Sequence, residues 1–178
     1  MRGTATIIAG LALFGLAGCD EHEMRTGAPL AGGATAAATL HTADGAEVGR
    51  VKAVEVAGGL RITIDAHGLP PGTHGAHIHT VGHCDTADFA TAGGHWNPTN
   101  RKHGSMNPQG PHEGDLPNLV VGSDGRGAIG VTVPGATMAG LLDADGSAIV
   151  VHAGQDDLMT DPSGNSGARI ACGVFGAS

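Results

Sequence analysis

The chain has 178 residues and a formal net charge of −8 with histidine neutral. That balance excludes an ordinary nucleic-acid binder, which works through basic surface. With 32 glycines, one tryptophan, three phenylalanines and no tyrosine, a helical bundle is also excluded. Each interior glycine weakens a helix by about 1 kcal/mol relative to alanine, whereas short strands joined by glycine-rich turns tolerate it.

Residues 1–18 carry one charge, Arg2, ahead of the apolar run from Ile7 to Ala17. The run is short for a membrane span and reads as a secretory leader. Its end, Leu16-Ala17-Gly18-Cys19, resembles the lipobox of bacterial lipoproteins. There the cysteine takes a lipid and becomes the new N-terminus. The resemblance implies export, a membrane partner through a lipid on Cys19, and a place in the periplasm or cell envelope. After Cys19, residues 19–33 continue Asp20-Glu21-His22-Glu23 and turn rich in glycine and alanine. They read as a flexible tether, which leaves 34–178 as one domain.

Strand-like stretches then follow at short intervals. Ala34–His41 can pair, and Asp44-Gly45 is a turn before Val48–Val56. Leu60–Ala66 alternates, with Leu60, Ile62 and Ile64 on one face and Arg61, Thr63 and Asp65 on the other. Leu69-Pro70-Pro71-Gly72 is a turn, and His74–Thr80 is the next strand. From about Gly82 to Pro117 no period survives, and a loop of that length in a compact domain is usually functional. Strands resume at Asn118–Val121, Gly127–Val133 and Ala148–His152. A second irregular stretch, Ala153–Gly167, precedes the final strand Arg169–Phe175. About eight short strands and two long loops predict an all-β, antiparallel sandwich or barrel.

Eleven histidines are many for this length, and seven lie between His74 and His112. His77-Ile78-His79 sits in a strand, where residues i and i+2 share a face. Both imidazoles can therefore reach one ion while Ile78 turns to the core. Three histidines and a carboxylate, His95, His103, His112 and Asp115, make a donor set that suits zinc. His77, His79 and His152 with one more imidazole make an all-nitrogen set that suits copper. His41, His67 and His83 read as surface or structural, and Trp96 and Met106 as packing or surface residues.

The motifs Gly72-x-His74-Gly75-x-His77-Ile78-His79, Gly94-His95-Trp96-Asn97-Pro98, Lys102-His103-Gly104, His112-Glu113-Gly114-Asp115-Leu116, Val150-Val151-His152 and Gly167-x-Arg169-x-x-Cys172-Gly173 together resemble the Cu,Zn superoxide dismutase family. The resemblance covers roughly residues 34–176. It implies an eight-stranded Greek-key barrel or sandwich. It implies copper on His77, His79, His95 and His152, and zinc on His95, His103, His112 and Asp115, with His95 shared as a bridge. Asp156 matches a carboxylate that orients His77 and His103. Arg169 matches the arginine at the mouth of the copper site, His74 a structural hydrogen-bonder, and Cys84 and Cys172 the family disulfide. The implied reaction converts two superoxide anions and two protons to dioxygen and hydrogen peroxide by Cu(II)/Cu(I) cycling, with His95 and Arg169 as catalytic residues. The loop before Arg169 departs from the pattern, lacking the Lys/Glu-rich character some members use to guide superoxide. The rival readings are a non-catalytic copper- and zinc-binding envelope lipoprotein, a copper-only dismutase, and a sandwich domain without activity. Monomer and homodimer are both open.

Overall fold

A computed structural model describes residues 33–178. The leader, the lipid site Cys19 and residues 19–32 of the tether lie outside the described residues. In chain order the strands are β1 (Thr35–His41), β2 (Glu47–Val56), β3 (Gly59–Ala66), β4 (Gly72–His74), β5 (Ala76–His79), β6 (Leu119–Val121), β7 (Gly127–Pro134), β8 (Ala148–His152), β9 (Arg169–Val174) and β10 (Gly176–Ala177). One turn of helix, α1 (Met138–Leu141), lies between β7 and β8. Every strand pair is antiparallel. The large sheet runs β5-β8-β9-β1-β2-β3-β7, with β10 added on β1, while β4 and β6 form a second sheet.

Alternation builds the core. Leu60, Ile62 and Ile64 are fully buried, whereas Arg61, Thr63 and Asp65 face solvent. They join Leu40, Val51, Ile78, Trp96, Leu119, Ile149 and Val151 in one apolar cluster. Each such aliphatic side chain contributes about 1.5–3 kcal/mol by burial. β8 is buried along its whole length, because its two faces have different covers. Ile149 and Val151 join the main core. Ala148 and Val150 meet Phe89, Ala92 and Cys172, with Cys84 packed alongside. The long loop thus folds back over the outer face of the sheet, and the Cys84–Cys172 disulfide fixes it there.

The strand expected over His74–Thr80 is split. His74 pairs with Leu119 in the small sheet, and Ala76 pairs with Val151 in the large one. Gly75 makes the crossing, donating its N–H to Gly154 O at 2.8 Å and accepting from His152 N at 2.8 Å. A Cβ at Gly75 would lie 2.8 Å from the Ser166 Cβ and 3.1 Å from the His77 ring, so only glycine lets the chain pass so close. α1 and β10 were not expected. α1 is a single turn whose Thr137 hydroxyl accepts from Gly140 N at 3.1 Å.

The first long loop also seals the edge of the sheet. Trp96 N donates to Ile78 O at 2.8 Å, and Ile78 N donates to Gly114 O at 2.9 Å. β5 is thus an edge strand covered by loop backbone, which brings Asp115 against His77 and His95 against His79.

Candidate metal centre

The period of β5 sets the site. Ile78 enters the core, while His77 and His79, both buried, turn to the opposite face under the loop. His152 comes from the end of the neighbouring strand β8, at a register shift against β9. His95 arrives from the loop, bridged to His79. One nitrogen from each of His77, His79, His95 and His152 lies within 4.8 Å of the others.

Backbone and carboxylate acceptors fix which nitrogen points inward. His77 Nε2 donates to Asp156 Oδ2 at 2.6 Å. His79 Nδ1 donates to Gly93 O at 2.9 Å, and His152 Nδ1 donates to Gly167 O at 3.1 Å. A neutral imidazole has one N–H, so the remaining nitrogen of each ring carries a lone pair. Those nitrogens, His77 Nδ1, His79 Nε2 and His152 Nε2, are buried without a hydrogen-bond partner, as is His95 Nε2. An orphaned buried polar atom costs about 1–3 kcal/mol. Four that converge fit a cation with nitrogen ligands, and the donor set suits copper. Burial keeps these rings neutral and ready to bind. It pulls His77 and His152 down to about 4 and His79 to about 2, and it also lowers His95.

The second group shares His95. The Nδ1 atoms of His95, His103 and His112 stand 2.8, 3.0 and 3.1 Å from one oxygen, Asp115 Oδ1. The other oxygen, Oδ2, is held by the backbone N–H groups of Gly104 at 2.8 Å and His112 at 3.0 Å. His103 Nε2 already lies 3.0 Å from Asp156 Oδ1. A neutral His103 that donates there must face Asp115 with a lone pair. Without metal the conflict is relieved by a second proton. Burial opposes that proton, but Asp115 and Asp156 outweigh it and raise His103 to about 9. A cation among the four groups relieves it equally, and three imidazoles with one carboxylate suit zinc. Asp115 is held well below the ordinary carboxylate range; burial works against this, and His103 and His95 overcome it.

Asp156, itself buried, touches His77 with one oxygen and His103 with the other. It therefore ties the two groups together. Arg169, at the start of β9, donates from Nη1 to Phe89 O and from Nη2 to Gly93 O at 2.7 Å. His74 lies apart, with its ring nitrogens 2.8 Å from His152 O and 2.9 Å from Pro70 O. His83 is paired with Asp85 at the surface, Trp96 is in the core and Met106 is exposed. Sequence reasoning missed Asn118, which donates to Asp156 O and accepts from Asp156 N, both at 2.9 Å. It also missed Asp161, which accepts from His103 N at 2.9 Å. Neither residue carries a signal, because each acts on backbone groups far away in the chain.

Comparison with known proteins agrees with this geometry. The family model described as copper/zinc superoxide dismutase matches residues 47–175. The copper-zinc superoxide dismutase 1 of Aquifex aeolicus is 42% identical over 136 residues, 73% of this chain and 80% of that protein. Among solved structures, a double mutant of a SOD-like protein from Bacillus subtilis has a TM-score of 0.73 and 46% identity, over 78% of this chain and 95% of that one. The Cu/Zn superoxide dismutase from Brucella abortus has a TM-score of 0.65 and 32% identity, over 79% of this chain and 98% of that one. The shared barrel fold, and a family match that spans both histidine groups, place this chain in the copper/zinc superoxide dismutase family.

Proposed function

We propose that this protein is an envelope superoxide dismutase with copper held by His77, His79, His95 and His152, and zinc by His95, His103, His112 and Asp115. The convergence of four orphaned imidazole nitrogens carries the reading. Copper, when bound, would supply a one-electron couple, and zinc would have His95, His103, His112 and Asp115 to hold it. Two superoxide anions and two protons become one dioxygen and one hydrogen peroxide.

The chain's own residues do the rest. Arg169 carries a permanent charge suited to orienting a small anion, and its ties to Phe89 O and Gly93 O hold it beside His79. His95 Nε2 is the atom that takes a proton and passes it to the peroxide. Asp156 keeps the N–H of His77 pointed away from the centre. The reading divides the chain into a leader over 1–18, a lipid on Cys19, a tether over 19–33 and the catalytic domain over 34–178. The Cys84–Cys172 disulfide accords with export, since disulfides persist outside the reducing cytoplasm. Protection of the envelope from superoxide follows from that location.

A second reading is a copper- and zinc-binding lipoprotein without turnover. The SOD-like name of the Bacillus subtilis neighbour favours it, and Arg169 has no task in it. Superoxide decay measured with metal-loaded and metal-free protein separates the two. Rapid decay with the loaded form alone supports the dismutase. Stoichiometric metal uptake without turnover supports the carrier.

A further inference from the structure

His103 is held from two sides by one loop. Its ring meets Asp156, and its backbone N–H donates to Asp161 Oδ1 at 2.9 Å. His103 is fully buried, and among the described residues no other acceptor takes that N–H. The second oxygen of Asp161 accepts from Lys102 Nζ at 3.0 Å. The same stretch lies flat against the first loop. Met106 N donates to Leu158 O at 2.9 Å, and Asn107 Nδ2 donates to Met159 O at 3.2 Å. A Cβ on Gly104 would lie 2.1 Å from Leu158 O. The residues on either side of His103 therefore have no slack.

We propose that Asp161 is a positioning residue for zinc: it fixes the His103 backbone so that Nδ1 converges with those of His95 and His112 on Asp115. The proposal rests on the reading of His103 as a zinc ligand. It is the acceptor that matters, not the charge. The Lys102–Asp161 pair is partly exposed, with side chains 54% and 38% accessible, and such pairs contribute little. The His103 N–H, by contrast, is buried and would be orphaned without Asp161. Orienting partners of metal ligands typically change affinity by about 10- to 100-fold when removed.

Three variants of the full chain separate these contributions. D161A removes acceptor and charge, D161N keeps an oxygen acceptor, and K102M removes only the ion pair. Zinc affinity, read by chelator competition, should fall about 10- to 100-fold in D161A and stay within about threefold of wild type in the other two. In metal-free protein the His103 amide should exchange slowly in wild type and D161N, and quickly in D161A. Should D161A not fold, D161E displaces the carboxylate and is read the same way. A folded D161A with wild-type zinc affinity, or with its His103 amide still protected, overturns the proposal. A wild-type protein that takes up no zinc at His103 overturns the zinc reading itself. Amide exchange tells that result apart from failure of the Asp161 contact.

Discussion

His79 and Arg169 meet on one atom: the carbonyl oxygen of Gly93 accepts from His79 Nδ1 at 2.9 Å and from Arg169 Nη2 at 2.7 Å. The residue that aims a candidate copper ligand therefore also places the Arg169 guanidinium. R169A should lower kcat/KM for superoxide by about 10- to 100-fold, the range of a lost charged hydrogen bond. Metal content should be unchanged, because His79 keeps its acceptor. Parallel activity and metal analysis check this. An R169A protein with full activity contradicts the role given to Arg169.

The metal-free protein should be most stable near neutral pH. His77 and His152 fall to about 4 and His79 to about 2, chiefly through burial, against an ordinary value of 6.5. Between 6.5 and about 4 the unfolded chain binds more protons than the native one, so stability drops as pH falls through that window. His103 has the opposite sign. It is raised to about 9 by Asp115 and Asp156 against its burial. Its contribution is complete below 6.5 and is lost as pH rises through about 9. Urea midpoints across this range test the sign; a midpoint that increases on acidification from neutrality contradicts it.

Gly164 allows no side chain. Its φ is +62°, and a Cβ would lie 1.8 Å from Asp156 Oδ1 and 2.6 Å from His103 Nε2. G164A should cost about 1–2 kcal/mol for the backbone conformation alone, and more for the displaced carboxylate. Chemical denaturation and zinc titration should both register the change. A variant with unaltered stability and affinity would show that Asp156 does not need its present position.

The disulfide closes a span of 88 residues. Replacing Cys84 and Cys172 together by serine should lower stability by about 4–5 kcal/mol on the chain-entropy model. Phe89 and Ala92 should lose their cover on Val150. A denaturation difference well under 1 kcal/mol would show that loop packing alone holds this face.

Most strands were legible because alternation survives in them. Leu60-x-Ile62-x-Ile64 announces its buried face, and His77-x-His79 announces two candidate ligands on one side. The split at Gly75 was not legible, since it depends on which of two distant strands, β6 or β8, each half of the segment meets. Candidate ligands showed themselves by residue type. The groups that aim them did not, because many are backbone atoms such as Gly93 O and Gly167 O. Asp156 is recognisable through resemblance alone. Asp161 left no trace, since a carboxylate that accepts from a backbone N–H 58 positions away looks in sequence like any solvated acid.

Diffraction from crystals of the copper- and zinc-loaded protein, with anomalous data collected at both metal edges, would locate each ion. The paired centre predicts one copper bound by His77, His79, His95 and His152, and one zinc bound by His95, His103, His112 and Asp115. Copper or zinc bound elsewhere, or His95 bound to only one ion, would contradict it.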